Sequence, residues 1–262
     1  MDRKKIFKNN SKSIIKMDVM NMMRFKDFQN CKDFNIKIDP FTKQNRKEVE
    51  SLLLTSKDSK KYIFEWLDFK TKVKPYYDID MFYESQEEQE SNTEIIKEQV
   101  LETLKKHYPE STIAISSSHG AKTKSKTVKK VRKEIKGFAT SFHFVVSDYE
   151  CSVEELREFN EKNKLYDLKI DGTNEKLFDK AVYRDGGNMR FLYSYKPNDP
   201  RQKIPENYKD SYMITKHIIQ STPETNHFKR TLPNASPPSS PPISPKVKVK
   251  VEEVIEEEVI EE

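Results

Sequence analysis

Cysteine is scarce in this chain. Cys31 and Cys151 stand alone and far apart, so they build neither a disulfide framework nor a paired-thiol metal motif, and a reducing intracellular setting is expected. Long apolar runs are missing too. No stretch approaches the ~18 residues of a membrane span, and the opening MDRKKIFKNNSKSIIK lacks the apolar centre of a secretory signal. These absences point to a soluble protein with no membrane partner. Hydrophobic residues fill only 34% of the 262 positions, while charged ones fill 35%. That is enough for one core, provided part of the chain stays outside it. An aromatic content of 11% argues against wholesale disorder.

Charge is unevenly spread. Residues 231–262 hold three lysines and seven glutamates, a balance of −4 within a total of +5, which leaves +9 for the first 230 residues. A basic body with an acidic tail suits a polyanionic partner such as nucleic acid; surplus lysine for solubility is the competing reading. Residues 223–245 contain SPPSSPPISP and read as an extended linker. Residues 247–262 alternate Val or Ile with Lys and Glu and have no core of their own. The expected organisation is one folded unit over residues 1–222, its core at about 60–220, then a linker and disordered acidic tail over 223–262.

Periodicity sketches the folded unit. Ile14, Ile15, Met17, Val19, Met22 and Met23 suggest a short helix in the first forty residues. Residues 62–67 (YIFEWL) and 73–82 (VKPYYDIDMF) read as strands, the second entered after Pro75. Ile95, Ile96, Val100, Leu101 and Leu104 predict a helix over 91–107, capped by Asn92 or Thr93. Residues 112–118 (TIAISSS) and 138–147 (FATSFHFVVS) read as strands, joined by a long basic crossover loop. Ser152 and Glu155 form a capping box that opens a helix running to about Asn163. A further strand over 189–195 follows the turn at Gly186 and Gly187, and residues 208–220 close the unit as helix or strand. Strands and helices alternating with antiparallel hairpins give an α+β class.

Three elements carry chemistry. Asp78 and Asp80 are two apart on a strand, so both carboxylates project from one face. Adjacent carboxylates repel unless a cation neutralises them, and oxygen donors suit Mg²⁺ or Mn²⁺; a solvated strand end is the plainer alternative. Ser141 and His143 share one strand face, while Phe142 and Phe144 point the other way. Thr140 and the Ser116–Ser118 hydroxyls are candidates for the same cleft. In FDKAVYRDGGNMRFLYSYK, Asp179 precedes a turn, and Arg190 and Lys196 follow at an even spacing that lets two cations share a strand face, as a triphosphate clamp needs.

In this order YYDID, TSFHFVV, FDKAVY and MRFLYSYK resemble the archaeo-eukaryotic primase superfamily, in its primase–polymerase branch with members in large DNA viruses. The resemblance covers residues 62–219. It implies an RRM-like antiparallel catalytic core beside an N-terminal α/β unit. It also implies a DNA-directed primase–polymerase, a metal-dependent nucleotidyltransferase acting in DNA replication. Asp78, Asp80 and Asp179 would hold Mg²⁺ or Mn²⁺; Ser141, His143, Arg190 and Lys196 would contact the triphosphate of an NTP or dNTP. Two positions depart from the family pattern. Ala139 stands where many relatives carry Lys, with Lys136 a substitute from the loop, and Gly187 stands where some carry Arg, with Arg184 nearby. Asp171 is the fallback third ligand.

The basic residues Lys122, Lys124, Lys126, Lys129, Lys130, Arg132 and Lys133 suit phosphates of a single-stranded DNA template, bound without sequence preference; a disordered basic loop or a nuclear-import signal is the alternative. The acidic tail suits docking on a single-strand-binding protein, folding back on the basic cleft to inhibit it, or a solubilising disordered end, and the absence of a helicase or Cys/His zinc module suggests a separate replicative helicase as partner. A non-catalytic nucleic-acid-binding accessory subunit is the alternative function. A rolling-circle endonuclease would need paired histidines where SFHF has one. A DxD glycosyltransferase would leave Ser141 and His143 unexplained.

Overall fold

The computed structural model describes residues 22–27, 32–37, 47–48, 51, 62–128, 131–171, 173–210, 213–221 and 230–233. Strand β1 (Met22–Asp27) pairs antiparallel with β2 (Lys32–Lys37). Met22 and Met23 therefore lie in a strand, and the other residues of the expected N-terminal helix lie outside the described residues. Strand β3 (Ile63–Leu67) joins β1. A proline then splits the next expected strand: Pro75 has no N–H to donate, so β4 (Lys72–Val73) stops and β5 (Tyr76–Tyr83) starts afresh.

Helix α1 (Gln86–His107) begins earlier than its apolar periodicity indicates. Ser85 is the cap, its side chain accepting the Glu88 N–H at 3.1 Å, with Glu87 and Glu88 in the first turn, where the helix dipole favours them. Asn92 and Thr93 are not caps; their side chains bond back to the carbonyls of Glu88 and Gln89 inside the helix. After β6 (Ile113–Ser117) the Lys-rich stretch is no crossover loop. It forms β7 (Gly120–Val128), paired residue by residue with the first part of the 16-residue β8 (Val131–Val146). The period-two KTKSKTV pattern drives it, although both faces are polar.

Strand β9 (Cys151–Ser152) pairs with β4, and α2 (Val153–Lys162) opens at the expected capping box of Ser152 and Glu155. Strand β10 (Gly187–Arg190) is shorter than expected: Tyr193 takes φ +56°, which extended backbone does not allow. A two-residue β11 (Ile204–Pro205) follows; among the described residues of 208–220 there is a 3-10 turn, Ile214–His217, and an antiparallel bridge of Gln220 with Val73. Within the stretch read as linker, Arg230 pairs its backbone with Asp148 and Glu150, and Leu232 packs on the core.

Two larger antiparallel sheets result, ordered β10-β3-β1-β2 and β11-β6-β8-β5 with β7 also on β8, beside the two-stranded β4-β9. The class is α+β. Strands β5 and β6 flank β8, and α1 connects them across it. One side of this sheet is apolar: Tyr77, Ile79, Ile115, Phe142 and Phe144 form one buried cluster with Ile96, Val100 and Leu104 of α1. Each such side chain contributes about 1.5–3 kcal/mol by burial. The Tyr77 hydroxyl meets that of Tyr108 at 2.7 Å and donates to Asn160 at 3.1 Å, so this buried polar group joining β5, α1 and α2 is satisfied. Among the described residues no helix is long and apolar enough to cross a membrane.

Glu65 locks the end of the unit onto β3. Its carboxylate is buried and accepts N–H bonds from Ile219 (3.0 Å) and Gln220 (2.8 Å). Burial raises its pKa from 4.5 to about 7, against those bonds and the charge of Lys74. The folded pKa exceeds the unfolded one, so the native state holds a proton that the unfolded chain has released, and stability falls as pH rises from 4.5 to about 7. Thermal melts between about pH 4 and pH 8 are expected to show wild type losing on the order of 3 kcal/mol more than Glu65→Gln. Equal losses would contradict this role for Glu65.

Candidate functional site

The register of three strands assembles the other side of the second sheet. Asp78 lies opposite His143, which lies opposite Ser116; Asp80 lies opposite Ser141. Ser118 continues that second row by donating its N–H to the Ser141 carbonyl at 3.0 Å. Cross-strand partners share a face, so Asp78, Asp80, Ser116, Ser118, Ser141 and His143 converge opposite the apolar side. This polar face turns toward the first sheet. Arg190, on β10, donates to the Ser118 hydroxyl and, at 2.8 Å, to the Arg201 carbonyl.

Burial sets the charge states. His143 Nε2 lies 2.9 Å from Asp78 Oδ1, and both side chains are buried. Burial alone would raise the Asp78 pKa; the interaction and hydrogen bond with His143, then the charges of Lys203 and Lys196, reverse this and hold the carboxyl well below the usual carboxylate range. Burial and the cation Lys203 push His143 well below its ordinary value, outweighing the pull of Asp78. At neutral pH a neutral His143 therefore donates Nε2–H to an ionised Asp78. Asp80 is more exposed, and Lys122 reaches both of its oxygens at 2.8 and 2.6 Å.

Lys203 is the residue that sequence reasoning missed. It is 1% exposed, and among the described residues its side-chain nitrogen has no hydrogen-bond partner. Burial, then the nearby Arg190, lowers its pKa far below the lysine norm, while Asp78 and Asp80 oppose the shift. Arg190 is 3% exposed; burial lowers its guanidinium to about 10, against the pull of Asp199. Its Nε also lacks a partner. Arg201 differs, since Asp199 holds it at 2.9 and 2.7 Å. Lys203 reaches the site because its backbone pairs with Tyr193 and Ser194 after a reversal at Asn198, φ +62°. The only local signal is the alternation Asp199, Arg201, Lys203, which in a loop reads as solvated charge.

The remaining sequence candidates are less closely gathered. Asp179 sits beside β5, its N–H donating to the Asp78 carbonyl at 3.0 Å, yet its carboxylate is exposed and accepts from Ala181. Asp171 bonds Gln99 on α1, on the helix side. Lys196 lies beyond the end of β10, so strand alternation does not align it with Arg190, though its charge is felt at Asp78. Lys124, Lys126, Arg132 and Lys133 occupy register positions on the hairpin; Lys129 and Lys130 lie outside the described residues. Lys136 takes the opposite face of the hairpin from Lys122, and Arg184 is exposed.

Among the described residues no three His, Cys, Asp or Glu side chains gather as a metal cluster. Asp78 and Asp80 nonetheless fit a hard divalent cation in part: two oxygen donors share one face, and Asp80 already attracts a cation in Lys122. Mg²⁺ is commonly held by one or two carboxylates completed by substrate phosphates. A cleft of about 490 Å³ between Gln86, Gln89, Glu90 and Glu94 of α1 and His119 and Phe138 opens on the helix side; its carboxylates would repel phosphate. No family model and no curated protein matches the chain.

A buried cation without a partner costs stability. Lys203→Met is expected to stabilise the fold by about 1–3 kcal/mol in chemical denaturation, while weakening triphosphate binding at least tenfold in calorimetry. A destabilised variant with unchanged binding would contradict the assignment.

Proposed function

We propose that the chain is a metal-dependent primase–polymerase that joins nucleotides on a single-stranded DNA template, with the polar face of the second sheet as its active site. The observation that carries this is the pairing of opposites there: two aspartates on one strand and, buried beside them, the Lys203 amine and the Arg190 Nε, neither with a hydrogen-bond partner among the described residues. Basic groups buried short of partners regain charge and partners when an anion of high charge arrives, and neighbouring carboxylates call for a divalent cation. A nucleoside triphosphate with its metal brings both. The split β5–α1–β6 arrangement around β8, followed by α2, supports an RRM-like core, and the β1–β2–β3–β10 sheet supports the companion N-terminal unit. The motif order of the primase–polymerase branch fits the same positions.

In this mechanism Arg190 and Lys203 bind the triphosphate and fix its direction across the face. Ser141 and Ser118 line the floor between them and Asp80. His143 holds Asp78 ionised and in one orientation through the 2.9 Å contact. Asp78 and Asp80 would hold Mg²⁺ or Mn²⁺, with Asp179 beside them through its backbone link to Asp78. When bound there, the metal would activate the primer 3′-hydroxyl and neutralise charge on the departing pyrophosphate. Lys122 must release Asp80 for this, which frees its ammonium for phosphate. A replicative helicase and a single-strand-binding protein are the partners this activity calls for, at sites of DNA replication.

Primer synthesis on single-stranded DNA with Mg²⁺ or Mn²⁺ and labelled NTPs or dNTPs tests the reading. Wild type is expected to give product, and Asp78→Asn/Asp80→Asn to lose at least about a thousandfold in rate with DNA binding unchanged. Template binding without product from either protein would leave the accessory-subunit role in its place.

A further inference from the structure

The β7–β8 hairpin has two unequal faces. Register puts Lys122, Lys124 and Lys126 of β7 and Lys133 of β8 on the face that continues Asp80 and Ser141. Beyond Asp80, no acidic residue among the described residues of the hairpin shares that face. The opposite face takes Thr123, Ser125 and Thr127 with Arg132, Glu134 and Lys136, a nearly balanced set. Lys126 stands directly opposite Lys133.

An aromatic ring sits where this row meets the site. Phe82 follows Asp80 by two residues on the same face and is half-buried, with the Lys124 ammonium 5.5 Å from its ring centre. Gly137 leaves it room: a Cβ there would come within 2.6 Å of the Phe82 ring and 2.3 Å of the Tyr83 carbonyl. A half-buried ring beside a row of cations, next to a catalytic carboxylate, has the form of a base-stacking platform on a phosphate track.

We propose that the site-facing side of the β7–β8 hairpin is the track for single-stranded DNA, with Lys122, Lys124, Lys126 and Lys133 along its phosphates and a base stacked on Phe82. This rests on the primase–polymerase reading and adds a direction to it: the strand leaves the active site along one face of the hairpin. The opposite face stays out of contact.

Fluorescence anisotropy of a labelled oligo(dT) with the full chain tests the track. Lys124→Ala/Lys126→Ala and Arg132→Ala/Lys136→Ala remove equal charge from the two faces. The first pair is expected to weaken binding about tenfold or more and to flatten the salt dependence by roughly 1.4 log units per decade of salt. The second pair is expected to change affinity by less than about twofold. Phe82→Leu, which conserves most of the volume beside Gly137, is expected to weaken binding about tenfold with little change in salt slope. Equal weakening by both lysine/arginine pairs, or full binding by the first pair or by Phe82→Leu, overturns the track. Primer synthesis run in parallel keeps the two ideas apart: product from wild type alongside any of those outcomes removes the track and leaves the polymerase. Wild type that binds no oligo(dT) removes both.

Discussion

Side-chain alternation along β8 is the constraint on which the rest of the molecule depends. Its 16 residues pair with β5 on one edge and with β6 and β7 on the other. A strand paired on both edges cannot slip by one residue without turning every side chain over. Phe142 and Phe144 hold the register by burying against the α1 side. That fixes Ser141 and His143 on the far side, and with them Asp78 and Asp80 across β5. The same alternation, carried past Ala139, aims the lysines of the hairpin along the same face. Core and site are thus two consequences of one register.

The polar face is costly to build. It holds Asp78, His143, Arg190 and Lys203, each nearly removed from water. His143 and Asp78 satisfy one another, whereas among the described residues Lys203 and one Arg190 nitrogen remain without partners. A fold selected for stability alone would place apolar side chains there. Retaining two under-partnered basic groups between the sheets makes physical sense when an anion spends part of its time between them. Asp80, at the exposed rim, already shows the complementary preference by taking Lys122.

What the sequence reveals and what it hides follow from the range of the interactions. Asp78 with Asp80, and Ser141 with His143, were legible because strand alternation is a property of adjacent residues. The capping box at Ser152 was legible for the same reason. Lys203 was not, since it enters the site through a chain reversal at Asn198 and a strained Tyr193, which no local pattern announces. The hairpin was hidden by composition: lysine alternating with Thr and Ser resembles a solvated loop until β8 is known to extend back to Val131. The start of α1 was hidden because the Gln and Glu residues of its first turn show no apolar stripe, and only the Ser85 cap marks it. The expected alignment of Lys196 with Arg190 failed because β10 ends at Arg190.

Diffraction from crystals soaked with Mn²⁺ and a non-hydrolysable deoxynucleoside triphosphate tests the central claim most directly. The expected result is anomalous density at the Asp78 and Asp80 carboxylates, with the triphosphate against Arg190 and Lys203 and Lys122 withdrawn from Asp80. Triphosphate bound elsewhere, with Lys122 still on Asp80 and Lys203 still unpartnered, would contradict it.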